Sequence, residues 1–452
     1  MNVPLIIIMI GLLIFGAHLF NGLFKFTKIP NVLILLVIGI VAGPVLGFVN
    51  EDHFGKIGPI FTSITLVLIL FESGTNLKIG ELFKSIGSAF LLTLFNFFAS
   101  AIIGTAVAVA FFSDIDMLSA TFFGVIIAGT SSAVVIPIIK QLKMNKKGYT
   151  TLMLESALSD VLCLVIGLAL LQAMKEGVFE MGAILNAIWK SFLFAFLIGF
   201  AGGFAWSFIL KFTRIIENSK VMNLAMVFII YGITEYLGLN GGIAVLIFGI
   251  TLGNAYLLQN TRFKEAFPAK ELLSNEKDFF SELVFIMSTF FFVYVGICMK
   301  FGSIRIYALA LLIVVAIILI RPLSIKLLVK SKMSFKDLGI MSIMAPKGLV
   351  PAILASIPIQ YGLAGGDSIQ MLSFAVVLLS IIICSILVII LSKNPLQIGY
   401  LKSVLGTENT EEVEGEGAVE EKVEPEITSE ETPTKGKSPV NIINKTDRTP
   451  EK

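Results

Sequence analysis

The sequence predicts an all-α polytopic membrane protein with about thirteen transmembrane helices, and three observations carry that expectation. The chain of 452 residues is 56% hydrophobic and only 15% charged, with a mean hydropathy of +0.91. A soluble chain carries about 25% charge, so the surplus apolar surface has to face lipid. The apolar runs are roughly twenty residues long, the length a helix needs to cross a bilayer, whereas barrel strands would be about half as long and would alternate. Lysine and arginine collect in every second loop, the bias that orients helical membrane proteins.

In order, the expected spans lie near 3–24, 30–49, 57–77, 85–112, 117–140, 149–174, 181–210, 220–237, 240–257, 279–299, 303–330, 337–361 and 368–392. The first run is followed at once by a second, which marks it as a span and not a cleaved signal peptide. Clusters such as Lys25/Lys28, Lys140/Lys143/Lys146/Lys147 and Lys326/Lys330/Lys332/Lys336 all fall on one side. That side is expected to be cytoplasmic, with the N-terminus outside, the C-terminus inside and the chain in the cell (plasma or inner) membrane. Residues 1–400 form the transmembrane domain. Beyond them the composition shifts: Glu408 to Glu431 is rich in Glu, Pro, Thr and Gly, which predicts a disordered acidic cytoplasmic tail over 401–452.

Composition also excludes several classes. A net charge of +2 gives no reason to expect a nucleic-acid partner. Cys163, Cys298 and Cys384 sit in separate apolar stretches, and the histidines are His18 and His53 alone. No disulfide framework, zinc site or haem is therefore expected, and no cofactor.

An internal repeat is more informative. The second span reads Val37-Ile-Gly39-Ile-Val-Ala-Gly43-Pro44 and the ninth Leu246-Ile-Phe-Gly249-Ile-Thr-Leu-Gly253-Asn254. The third ends Leu70-Phe-Glu72-Ser-Gly74, and the tenth ends Tyr294-Val-Gly296. The fifth holds Ala128-Gly129-Thr130-Ser131-Ser132, followed by Pro137; the twelfth holds Met344-Ala345-Pro346-Lys347-Gly348, followed by Pro351. Each pair is roughly 210–220 residues apart, or seven spans. Seven is odd, so spans 1–6 and 8–13 are expected to be inverted repeats linked by span 7. Inverted repeats with two broken crossing helices in matching places mark a secondary transporter, with its site at the repeat interface.

Few ionisable groups remain inside the spans, and each invites a functional reading because burial in lipid is costly. The sixth span carries Glu155-Ser156-x-x-Ser159-Asp160. Residues four apart share a helix face, so Ser156 sits beside Asp160 while Glu155 points elsewhere. Arg321 in the eleventh span lies at the depth of Glu155, which predicts a structural ion pair between them, since an unpaired charge there would cost several kcal/mol. At the breaks, freed carbonyls and half-helix ends of the Thr130-Ser131-Ser132 segment can face an ion, and Lys347 can offset their negative ends. Hydroxyls bonded back to the preceding turn of an ordinary kinked helix are the plainer alternative. Glu72, near the cytoplasmic end of the third span, is either an ion-path residue or a group reaching interfacial water.

These residues resemble the monovalent cation/proton antiporter superfamily, most of all its electroneutral sodium/proton exchanger branch. Glu155-Ser156-x-x-Ser159-Asp160 is similar to that branch's Glu-Ser-x-x-Asn-Asp motif, Leu70-Phe-Glu72-Ser-Gly74 to its third-span motif, Arg321-Pro322 to its pairing arginine, and Ala345-Pro346-Lys347-Gly348 to Gly-Pro-Arg-Gly. The resemblance implies that Asp160 binds the sodium ion and the proton, with Ser156, Thr130 and Glu72 as further oxygen donors and Ser159, Ser131, Ser132 and Lys347 in support. It also implies a homodimer in the bilayer. Ser159 stands where the branch has Asn, Lys347 replaces Arg, and Ser131-Ser132 replaces Asp-Pro, as in potassium-efflux relatives. A single site carboxylate leads us to expect one sodium exchanged for one proton, electroneutrally. Potassium/proton exchange and an ion-sensing protein without flux are the alternatives; no enzyme constellation is present.

Overall fold

A computed structural model describes residues 3–27, 30–49, 57–77, 79–80, 88–142, 144–177, 181–213, 219–256, 272–301, 303–329, 333–393 and 404. The expected tail lies outside the described residues apart from Val404, as do His53 and much of the basic loops. The described residues form helices and no strand. They are α1 (Val3–Thr27), α2 (Asn31–Ile40), α3 (Ile57–Asn76), α4 (Ser88–Phe111), α5 (Met117–Ile126), α6 (Ser132–Gln141), α7 (Lys146–Glu176) and α8 (Met181–Thr213). After these come α9 (Ser219–Tyr236), α10 (Gly241–Gly253), α11 (Ser274–Ile297), α12 (Ile304–Leu328), α13 (Phe335–Ile343), α14 (Leu349–Gln360) and α15 (Gly366–Lys393). Six are long and apolar enough to cross a membrane unaided, and shorter apolar helices accompany them.

The fifth and twelfth apolar runs are each divided in two, α5/α6 and α13/α14. Both divisions fall upstream of the prolines that flagged them. Pro351 sits in the first turn of α14, where a missing N–H is one of the helix's unpaired donors anyway. Pro44, by contrast, distorts its own helix. Its ring cannot pack under the carbonyl one turn back, and α2 widens into a π-helical turn, Val41–Val45, closed by Leu46 N–H to Val41 O at 2.9 Å.

Glycines knit the repeat-related helices together. A Cβ on Gly39 of α2 would lie 2.9 Å from Gly296 Cα of α11, and one on Gly249 of α10 would lie 2.6 Å from Phe71 O of α3. Only backbones without side chains approach so closely, which is how helices pack where lipid offers no hydrophobic drive. Gly39 corresponds to Gly249, and Gly74 to Gly296, in the sequence repeat. The contacts Gly39–Gly296 and Gly249–Gly74 are thus one contact made twice, crosswise.

Gly249→Val should wedge α10 from α3 and destabilise the protein by about 1–3 kcal/mol, read as a lower melting temperature in detergent. Gly232→Ala on α9, where an added Cβ meets nothing within 4 Å, should leave it unchanged or slightly raised.

Candidate cation-binding site

Asp160 stands midway along α7, about 21 Å from the helix start at 1.5 Å per residue. Its side chain points at the start of α6. Ser132, the first residue of that half-helix, donates to Asp160 Oδ2 through its hydroxyl at 2.8 Å and its backbone N–H at 3.3 Å. A carboxylate at a helix N-terminus meets unpaired N–H groups and the positive end of the dipole. No described residue donates a hydrogen bond to Oδ1.

The break itself is held from three sides. Thr130 N–H donates to Ser159 Oγ at 3.0 Å. Ser131 N–H donates to Pro346 O at 2.9 Å, tying one break to the other. Lys347 is buried and its Nζ reaches Ala128 O at 3.3 Å, at the carbonyl end of α5, while its own N–H donates to Ser380 Oγ at 2.9 Å. Cys163, one turn along from Asp160, donates its thiol to Ile126 O at 3.1 Å. Gly348 is needed because a Cβ there would run into Ser131 Oγ.

Glu155 faces away from Asp160, as helical geometry requires. It meets Arg321 in a two-pronged pair, Nη1 to Oε1 at 2.8 Å and Nη2 to Oε2 at 3.0 Å, both residues buried. Asn96 Nδ2 of α4 donates to the same Oε1 at 2.8 Å, and Ser324 Oγ donates to Asn96 Oδ1 at 2.6 Å. Arg321 also caps α13, with Nη2 3.1 Å from Met341 O. One cation therefore sits at the negative end of the first half of each broken helix, Lys347 at α5 and Arg321 at α13.

A cavity of about 660 Å³ runs to Asp160. Ser132 and Glu72 line it; Ser281 Oγ of α11 donates to Glu72 Oε1 at 2.7 Å. Asn31, Asn76 and Met153 place its mouth at the end where α2 and α7 begin and α3 finishes. Ser156, Ser159, Thr130, Ser131, Lys347, Glu155 and Arg321 stand behind the cavity wall; the Ser156 hydroxyl donates to Met153 O at 3.1 Å within its own helix. A second cavity of about 470 Å³, between α3, α9 and α14, includes Val67 and Tyr361 and shares no lining residue with the first. On α3, Val67 and Glu72 are about 7.5 Å apart, with the buried Leu70 and Phe71 between them.

Asn96, Ser281, Ser380 and Cys163 escaped the sequence reading. A polar residue in mid-span was the available signal for Asn96, but its partner on α12 is a matter of packing.

Residues 9–393 match the family described as sodium/hydrogen exchanger, transmembrane. The chain belongs to that family. It is a membrane-embedded, multi-pass cation/proton antiporter and not an enzyme. The sodium/proton antiporter 1 of Methanocaldococcus jannaschii is 27% identical over 359 residues, 73% of this exchanger and 77% of that protein. The potassium/proton antiporter NhaP2 of Shewanella oneidensis is 24% identical over 364 residues, 78% of this exchanger and 61% of that longer relative. The solved structure of the sodium/proton antiporter MjNhaP1 from Methanocaldococcus jannaschii at pH 8 shares the fold with a TM-score of 0.68 at 21% identity, covering 90% of this chain and 100% of that one.

Removing one partner of the Glu155–Arg321 pair strands a buried charge. Arg321→Ala should cost about 3–5 kcal/mol, seen as a large fall in detergent melting temperature. The double variant Glu155→Gln/Arg321→Met, which removes both charges together, should recover much of it.

Proposed function

We propose that this exchanger swaps one sodium ion for one proton at Asp160 by alternating access. The observation that carries this reading is the Asp160 carboxylate at the head of a cavity, one oxygen held by Ser132 and the other free of hydrogen bonds from the described residues. A carboxylate set deep in a membrane-spanning bundle is disfavoured as a bare anion, so it takes either a proton or a cation, and the two compete. In this reading Glu72, across the same cavity, is a further oxygen donor on the way in, and Thr130 and Ser156, behind the cavity wall, back the site from the break and from the helix of Asp160. One carboxylate holding one charge makes the exchange electroneutral.

The loop charges support a cytoplasmic mouth for the 660 Å³ cavity, in a cell membrane with the N-terminus outside. The crosswise glycine contacts support inverted repeats of spans 1–6 and 8–13. A homodimer and a disordered cytoplasmic tail complete the proposal. Potassium is the second reading, favoured by relatives that carry the potassium/proton antiporter name at 24% identity.

In proteoliposomes, Asp160→Asn should abolish cation-driven proton movement, and retained exchange refutes the assignment. A panel of sodium, lithium and potassium separates the two cargo readings; an imposed potential should leave the rate unchanged. Because protons compete for the same carboxylate, the apparent KM for sodium should rise as pH falls, by up to about tenfold per unit.

A further inference from the structure

Serines in membrane helices usually donate their hydroxyl to a carbonyl of the preceding turn. In this protein Ser342, Ser356, Ser380 and Ser385 all do so, at 2.7–2.9 Å. Ser132 does not. As the first residue of α6 it has only the break before it, and its hydroxyl goes to Asp160 Oδ2 at 2.8 Å instead. Its backbone N–H reaches the same oxygen at 3.3 Å, and the residue lines the cavity.

We propose that Ser132 is a specificity-determining residue of this exchanger, whose hydroxyl hydrogen-bonds the bare Asp160 carboxylate and turns its oxygen onto an arriving cation, favouring sodium over potassium. The inference rests on the reading that Asp160 holds the cargo. A hydroxyl carries one donor and two acceptor lone pairs, so one rotation converts it from a partner of the anion into a ligand of the ion. The backbone N–H stays on Oδ2 throughout, and the carboxylate is never left without a donor. Selection among hard cations follows the size, number and rigidity of the oxygens offered. Ser132 Oγ and Asp160 Oδ2 lie 2.8 Å apart while hydrogen-bonded, one end fixed to a half-helix start and the other to mid-helix, so the oxygen edge they offer opens only a little once the hydroxyl turns. Such an edge belongs to a small coordination shell, and a larger ion has to pry it apart. The charged groups nearby do not substitute for it: Lys347 is a cation bonded to Ala128 O, and Glu72 is engaged by Ser281.

The test is exchange in proteoliposomes at fixed pH, with KM measured for sodium, lithium and potassium. The parent should show its lowest KM with sodium or lithium. Ser132→Ala removes the oxygen but keeps the N–H, and should raise the sodium KM about tenfold, the loss expected for one contact to a charge, while potassium changes less than about threefold. Ser132→Thr restores a hydroxyl and should return the parent's preference. Ser132→Cys, which keeps the volume with a poorer ligand atom, should also narrow the sodium–potassium gap and serves if the alanine variant does not fold. Equal changes for all three cations, a fall in maximal rate alone, or a parent that prefers potassium would overturn the inference. Asp160→Asn is run alongside. If it still exchanges ions, both readings fail; if it is inactive and the Ser132 variants keep the parent's cation order, only the role of Ser132 falls.

Discussion

A peptide group freed from its helix inside a bilayer has no water to turn to, and that constraint shapes this protein. Five of the six N–H groups from Ile127 to Ser132 have a hydrogen-bond partner. Ile127 and Ala128 bond back within α5, Thr130 reaches Ser159, Ser131 reaches Pro346 and Ser132 reaches Asp160. On the carbonyl side, Cys163 and Lys347 serve Ile126 and Ala128, and Arg321 serves Met341 in the other half-helix. Breaking two helices is tolerable because each break closes the other. The carboxylate that serves the transport reading also belongs to that accounting.

Charge follows the same geometry. The dipole of each half-helix places positive character at its start and negative character at its end. Asp160 occupies the start of α6, Lys347 the end of α5 and Arg321 the end of α13. Glu155 balances Arg321 from the opposite face of α7, so the helix that carries the candidate site is anchored by one acid and leaves the other facing the cavity. Asn96 and Ser324 extend that anchor into α4 and α12. A half-satisfied network of this kind would be worse than an apolar core, and of the fully buried side-chain nitrogens and oxygens among the described residues only Ser373 Oγ lacks a partner.

Access is graded along α3. Its Val67 borders one cavity and its Glu72 the other, with Leu70 and Phe71 sealed between them. The same helix is zipped to α10 through Gly74 and Gly249, and Asn254 ties its end to α10 through bonds to Leu77 O at 2.7 Å and from Ile79 N–H at 2.8 Å. A firmly held α3 with α14 packed against it is a barrier only a few side chains thick.

The run lengths and charge pattern by themselves determined the helical membrane class, the order of the spans and the places where two of them divide, because hydrophobic length and glycine–proline interruptions act locally. They also picked out Asp160, Glu155 and Arg321, since an ionisable residue in an apolar run is conspicuous whatever surrounds it. Only the tertiary structure decided which oxygens face the cavity. Ser156 is one turn from Asp160 yet bonds its own helix, whereas Ser132, twenty-eight positions away in sequence, holds the carboxylate. Helical periodicity sets which residues share a face. Where a broken helix aims its first N–H depends on what packs against the break, and that is a property of the assembled bundle.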